Sequence, residues 1–138
     1  MIRIEAEPWR KMVEHARATY PYECCGALLG SVDGDGSKVV TRALPLENAS
    51  EGEKRVHYVM RPKDMLMADQ EARRERLDIV GFYHSHPDCD AYFSETDRKN
   101  SYWYSFVVMS IRKGEFDHAN SYIPNAEQTD FKKEELIY

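Results

Sequence analysis

Apolar residues recur at helical spacing in two segments of the chain. The first segment has one apolar stripe, at positions i, i+3, i+4 and i+7: Trp9, Met12, Val13 and Ala16. Proline suits the first turn of a helix and Tyr20-Pro21 would end one, so a helix is predicted from about Pro8 to Thr19. A second helix is predicted from Pro62 to about Arg76. Its buried side is expected to carry Met65, Leu66, Ala68, Ala72 and Leu77.

Shorter apolar segments bounded by turn residues predict strands. The turn Asp33-Gly34-Asp35-Gly36 joins the predicted strands Cys24–Val32 and Lys38–Leu46 into a hairpin. A second hairpin is predicted from the strands Phe106–Ile111 and His118–Ile123. Two single strands are predicted at Leu77–His86 and at Val56–Met60. Together these elements predict a mixed α/β domain, with a mostly antiparallel sheet and helices packed on it.

Two segments near the C-terminus are less regular. Ser94 is predicted to cap a short helix over roughly residues 95–102. The charged, amphipathic segment 124–138 is compatible with a strand, a helix or a flexible tail. Neither segment changes the predicted fold class.

Composition narrows the class of protein. The 138 residues include 42% hydrophobic ones, which suits one domain over residues 1–138. A formal net charge of −5 argues against a nucleic-acid-binding face. No signal peptide or membrane-spanning run is evident, so a cytoplasmic protein without membrane contact is expected. Three cysteines, with Cys24 and Cys25 adjacent, fit a reducing compartment better than a disulfide framework.

The segment Gly81–Pro87 carries the strongest chemical signal. Its histidines, His84 and His86, are two positions apart, so both imidazoles point to one side of an extended strand and can reach one metal ion. Asp97 can supply an oxygen ligand from further along the chain. Two histidines and one carboxylate leave the fourth tetrahedral position open, which is typical of a catalytic zinc site.

Other zinc motifs are missing from the sequence. It has no H-E-x-x-H helix of the usual metalloproteases, and no H-x-E with P-C-x-x-C of the zinc deaminases. A separate acid is then needed as general base. Glu23, which precedes an apolar strand, is the candidate, because apolar surroundings favour the neutral form of a carboxyl. From the residues alone, Glu23 as an exposed loop residue is an equally good interpretation.

His84-Ser85-His86-Pro87, seven intervening residues, Ser94 and then Asp97 resemble the JAMM motif of the MPN-domain metalloproteases. The segment Pro21–Gly30 is similar to the upstream catalytic-glutamate element of that family. The similarity covers roughly Ile4 to Tyr122 and looks most like the small bacterial branch. It implies an MPN/JAMM fold, which is cytidine-deaminase-like, in a single domain.

The resemblance also implies roles for five residues. His84, His86 and Asp97 would bind one Zn²⁺ per chain. Glu23 would take a proton from the attacking water and return it to the leaving amine, and Ser94 would hydrogen-bond the oxyanion. Ser94 and Asp97 also have the spacing of residues that cap a helix, and this role for Ser94 is compatible with the catalytic one.

The segment between the ligands departs from the family pattern. Residues 88–93 lack the prolines often found there, which leaves the rigidity of this loop open. Cys89 lies within it and is interpreted as a bystander. His15, His57 and His118 have no partner at ligand spacing and are expected to be structural or surface residues.

For the substrate, the resemblance implies a ubiquitin-like protein cleaved at an amide after its C-terminal Gly-Gly. The small bacterial members act on ubiquitin-like sulfur carriers, either releasing an added cysteine or trimming the C-terminus. A deubiquitinase-like isopeptidase acting on lysine-linked conjugates and a non-catalytic MPN scaffold are the alternatives. The sequence leaves the carrier and the oligomeric state undetermined.

Overall fold

The computed structural model describes residues 1–94, 104–125, 127 and 129–138. Within these residues, eight strands form one mixed sheet, accompanied by two helices. In chain order the elements are β1 (Ile2–Ile4), α1 (Ala6–Thr19), β2 (Cys25–Val32), β3 (Lys38–Leu46), α2 (Pro62–Arg74), β4 (Asp78–Pro87), β5 (Ser105–Arg112), β6 (Glu115–Pro124), β7 (Phe131–Glu134) and β8 (Leu136–Ile137). The mixed α/β fold class predicted from the sequence is confirmed.

The sheet runs in the order β7-β6-β5-β4-β2-β3-β1-β8. Strands β2 and β3 form the first predicted hairpin, and β5 and β6 form the second. The central strand β4 pairs antiparallel with β2 and parallel with β5, so both of its edges are hydrogen-bonded. A strand held on both sides offers rigid positions for functional side chains.

Each helix covers a different face of the sheet. Because side chains alternate along the strands, one set of strand residues, including Leu28 and Met109, packs with Met12 of α1. The other set, including Phe82 and Val108, packs with Ala68 of α2. His84 and His86 share the face of Phe82, because the three residues are two positions apart.

Two local predictions are wrong. The predicted strand at Val56–Met60 belongs to no sheet, although its sequence favours extended structure. On α2, Leu66 is 59% exposed, and Asp64 is buried instead. The carboxylate of Asp64 accepts a 2.8 Å hydrogen bond from Nε of Arg61, which offsets the cost of burying it.

The C-terminal segment 124–138, which the sequence left open, contains strands β7 and β8. β7 pairs with β6 at one end of the sheet, and β8 pairs in parallel with β1 at the other. A single residue, Glu135, joins them, and its carbonyl accepts a 2.9 Å hydrogen bond from the amide of Ile2. The two ends of the sheet are thus linked by this segment. No helix within the described ranges has the length and apolar character needed to cross a membrane.

Candidate metal centre and active site

The two histidines of β4 converge as the strand period predicts. Their Nε2 atoms lie 3.1 Å apart, and both residues are buried. Nδ1 of His86 lies 3.0 Å from the carbonyl oxygen of Asp90. Because a carbonyl only accepts, Nδ1 of His86 carries the proton and Nε2 presents its lone pair. His86 is therefore held in the tautomer that a metal ligand requires.

Glu23 joins the histidines from the neighbouring strand. Its side chain is 3% exposed, so its interpretation as an exposed loop residue is wrong. Ligand atoms of Glu23, His84 and His86 all lie within 4.8 Å of one another. Because Cys25 pairs with His84 across β2 and β4, the residue two positions before Cys25 lies beside the end of the histidine pair.

Ser85, between the two histidines, fixes this register. Its side chain points to the opposite face of β4, where its Oγ accepts a 2.8 Å hydrogen bond from the amide of Cys24. The amide of Ser85 in turn donates to the carbonyl of Cys24 at 3.1 Å. Cys24 follows Glu23, and Ser85 lies between the two histidines. The two hydrogen bonds between Cys24 and Ser85 therefore set the position of Glu23 relative to both histidines.

The donor set fits zinc. Imidazole nitrogens about 2.0–2.1 Å from a tetrahedral Zn²⁺ lie roughly 3.3 Å apart, close to the observed 3.1 Å between the Nε2 atoms of His84 and His86. Glu23, His84 and His86 thus form a group that can hold a metal ion. Asp97, the predicted third ligand, lies outside the described residues, as does the predicted helix over residues 95–102.

The group opens into a cleft of about 390 Å³ that Ser94 also lines. Two aromatic residues of its lining, Phe82 and Phe106, stack with ring centroids 5.9 Å apart. The segment 55–60 forms one wall. Glu23 and His86 thus share a cleft with apolar and aromatic side chains.

Two tyrosine rings cover the histidines. Tyr58 stacks on His84 with centroids 4.5 Å apart and planes at 24°. Tyr92 contacts His86 edge-on, with centroids 4.9 Å apart. Sequence reasoning missed both, because neither has a spacing that links it to the motif. These ring contacts restrict the rotation of the two imidazoles.

The loop of residues 88–93, which follows β4, has no proline and is held by hydrogen bonds. Asp88 begins it: its amide donates to the carbonyl of Ile111 at 2.7 Å, and its carboxylate accepts from the hydroxyl of Tyr20 at 2.6 Å and the amide of Lys113 at 2.8 Å. The carbonyl of Cys89 accepts from Oγ of Ser110 at 2.5 Å. The rigidity that the sequence left open is supplied by hydrogen bonds from the β5–β6 hairpin.

The same loop explains one of the remaining histidines. Nε2 of His118 accepts a 3.1 Å hydrogen bond from the amide of Ala91, and the carbonyl of Ala91 accepts from the hydroxyl of Tyr122 at 2.7 Å. His15 is structural as well, since its Nδ1 lies 2.8 Å from the hydroxyl of Tyr83. His57 is exposed. The interpretation of these three histidines as structural or surface residues is consistent with their positions.

The cysteines take no part in the group. Cys24 and Cys25 are buried, and burial raises the pKa of each thiol to about 12, so neither is a thiolate near neutral pH. Cys89 is exposed at the cleft. All three thiols are free.

Comparisons with known proteins show the family of the chain. Residues 5–122 match the family described as prokaryotic homologs of the JAB domain. A desampylase of Haloferax volcanii is 33% identical over 112 residues, which are 78% of each chain. A CysO-cysteine peptidase of Mycobacterium tuberculosis is 33% identical over 96 residues, 70% of this chain and 62% of that protein.

The fold has relatives among solved structures. A protein of Desulfitobacterium hafniense, solved in solution, superposes over 99% of this chain and 92% of its own with a TM-score of 0.85 and 28% identity. The matched range contains α1 through most of β6, and hence every described residue of the site. This chain belongs to the prokaryotic JAB-domain family, within the JAMM/MPN proteins that its His84-x-His86 motif resembles.

Proposed function

We propose that this protein is a zinc-dependent peptidase that hydrolyses the amide bond after the C-terminal Gly-Gly of a ubiquitin-like sulfur-carrier protein. One observation carries the proposal: ligand atoms of the buried residues Glu23, His84 and His86 lie within 4.8 Å of one another, and Glu23 and His86 line an open cleft. A buried acid next to a metal-binding pair is the arrangement that metal-assisted hydrolysis requires.

In this proposal His84, His86 and Asp97 hold one zinc ion. Bound there, zinc would polarise the scissile carbonyl and lower the pKa of a water molecule to about 7. Glu23 takes the proton of the attacking water and delivers it to the departing amine as the C–N bond breaks. Ser94, which lines the cleft, donates a hydrogen bond from its hydroxyl to the oxyanion of the tetrahedral intermediate. The products are a free glycine carboxylate on the carrier and a free amine.

The shape of the cleft supports a glycine tail as the substrate segment. β4 is paired on both sides by β2 and β5, so the described residues offer no free strand edge beside the histidines. We therefore place the carrier tail against the wall formed by residues 55–60, and not along a strand edge. Tyr58 and Tyr92 flank the histidines there, and glycines, which have no Cβ, allow the backbone to pass between the two rings.

A sulfur carrier is the substrate class that the relatives favour. The mycobacterial relative is a CysO-cysteine peptidase and the haloarchaeal one a desampylase. Three free cysteines also fit the reducing cytoplasm, where such a carrier would be met. We accordingly infer a cytoplasmic enzyme whose partner is a ubiquitin-like carrier.

Mass spectrometry tests the proposal directly. A ubiquitin-like carrier ending in Gly-Gly-Cys is incubated with the zinc-loaded enzyme, with and without a chelator. The expected product is the carrier ending in Gly-Gly, formed only without the chelator. A parallel substrate carries the same tail on a lysine side chain. Cleavage confined to that branched substrate would replace the proposal with the isopeptidase alternative, and cleavage of neither would favour the scaffold.

A further inference from the structure

We propose that Asn48 is a positioning residue for the general base, a role that rests on the function proposed above. Among the described residues, its side chain makes hydrogen bonds to backbone groups in three segments. Nδ2 donates to the carbonyls of Glu23 and His57, each at 3.0 Å. Oδ1 accepts from the amides of Ser50 and Val59, each at 3.1 Å.

These four hydrogen bonds use the full capacity of one carboxamide, which has two N–H donors and two acceptor lone pairs. A carboxylate at position 48 would keep the acceptors and oppose the carbonyls of Glu23 and His57 with negative charge. A glutamine would displace the amide by one methylene. The arrangement is therefore specific for asparagine, and it distinguishes Asn48 from an ordinary polar loop residue.

Glu23 needs such support because it precedes the regular ladder of β2. Pairing of β2 with its neighbours begins at Cys25. Ahead of that point the amide of Glu23 donates to the carbonyl of Lys54 at 2.7 Å, and its carbonyl accepts from Asn48. Both contacts come from residues 47–61, which contain no helix or strand. Asn48 thus adds a side-chain hydrogen bond to the backbone of the base, beyond the hydrogen bonds that join the neighbouring Cys24 to Ser85.

The second hydrogen bond that Asn48 donates goes to the segment that carries Tyr58. The carbonyl of His57, which it binds, directly precedes Tyr58, whose ring stacks on His84. Val59 directly follows Tyr58, and its amide donates to Oδ1 of Asn48. Asn48 therefore fixes the backbone of the base and that of the ring covering a histidine, and holds the cleft wall 55–60 against Glu23.

The test compares Asn48→Asp with Asn125→Asp. Both changes replace one amide by one carboxylate, but Asn125 lies in the turn after β6, where it binds Thr129 and Asp130. We expect Asn48→Asp to lower kcat about 10-fold or more while zinc content stays equal to that of the parent, because β4 holds His84 and His86 independently. Asn125→Asp should leave both unchanged. A parental kcat in Asn48→Asp would overturn the proposal.

A double-mutant cycle separates positioning from a general loss of stability. If Asn48 acts through Glu23, Asn48→Asp should cost less than about 2-fold in kcat once Glu23→Gln is present, because the group it positions has lost its function. A similar fold loss in both backgrounds would mean that Asn48 acts elsewhere, and the proposal would fail.

Amide hydrogen exchange gives a readout that does not depend on any substrate. In Asn48→Asp the amide of Glu23 should exchange at least about 10-fold faster, while amides of β4 keep their rates. If the parent proved inactive on every carrier while this exchange still increased, only the proposed function would fall. Unchanged exchange at Glu23 would refute the positioning role whatever the substrate.

Discussion

The Nε2 atoms of His84 and His86 face each other across 3.1 Å on a strand that is hydrogen-bonded along both edges. Side chains on such a strand are held in place before any ligand binds, so metal binding requires little reorganisation. The carbonyl of Asp90 fixes the tautomer of His86. The affinity for zinc should therefore depend on these two imidazoles more than on any nearby exposed histidine.

Removing an imidazole should remove the metal. Protein purified without added metal is expected to contain close to one zinc per chain by elemental analysis, and His86→Ala should lose most of it. His57→Ala serves as the control, because His57 is exposed and outside the metal-binding group. Full zinc retention in the His84→Ala/His86→Ala double mutant would contradict the assignment.

Glu23→Gln should separate chemistry from metal binding. Glutamine preserves the shape of the buried side chain but cannot accept a proton, so kcat should fall at least about 10²-fold while zinc content and fold are retained. Glu14→Gln, at an exposed position of α1, is the matched control. Wild-type turnover in Glu23→Gln would transfer the role of base to Glu47, Glu51 or Glu53.

Ser94→Ala tests the oxyanion role against a purely capping one. Loss of an oxyanion donor typically lowers kcat about 10²- to 10³-fold, whereas loss of a helix cap costs about 1 kcal/mol of stability and leaves kcat unchanged. Turnover and the urea unfolding midpoint should be measured on the same preparation. A lowered midpoint with parental kcat would restrict Ser94 to capping.

The strand period predicted the histidine pair, but contacts distant in sequence decided the rest of the site. Two histidines two positions apart needed only an extended backbone to converge. The burial of Glu23 depended on the pairing of Cys25 with His84 across β2 and β4, which no local pattern encodes. Glu23 was recognisable because the segment around it resembles a family element, but the burial of its side chain could not be predicted from the sequence.

The wrong predictions have a common cause. Val56–Met60 has a sequence that favours a strand, yet Val59 finds its backbone partners in the side chain of Asn48 and the amide of Ala49. Leu66 fits the apolar stripe of α2, but the helix is rotated so that Asp64 lies inside, paired with Arg61. In both cases one polar side chain with specific partners prevailed over a hydrophobic pattern.

His15 should make the stability of the fold depend on pH. Burial, assisted by the charge of Lys11, lowers the pKa of His15 below its usual value of 6.5. As pH falls below about 6.5, the unfolded chain therefore takes up this proton before the folded chain does, and stability decreases. In urea unfolding at pH 7.5 and 5.5, His15→Gln should lose less stability on acidification than the parent.

The comparison between His15→Gln and the parent isolates the effect of His15, because both proteins keep the other four histidines. Glutamine can still hydrogen-bond the hydroxyl of Tyr83, to which His15 is joined at 2.8 Å. His57→Gln, at an exposed position, should keep the parental pH dependence. An identical loss of stability in His15→Gln and the parent would show that His15 does not carry the effect.

The carrier tail makes a steric demand at the cleft. In the proposed binding mode the substrate backbone passes Tyr58 and Tyr92, which contact His84 and His86, closely enough for Glu23 to reach the attacking water. Replacing the penultimate carrier glycine with valine adds a branched Cβ beside these rings, so kcat/KM should fall sharply. Changing the residue after the scissile bond should matter less, because the leaving amine departs toward solvent. Mass spectrometry of carriers ending in Gly-Gly-Cys, Val-Gly-Cys and Gly-Gly-Ala compares the three directly. If the valine carrier is cut as fast as the diglycine one, the tail does not bind in this cleft, even where zinc and Glu23 behave as expected.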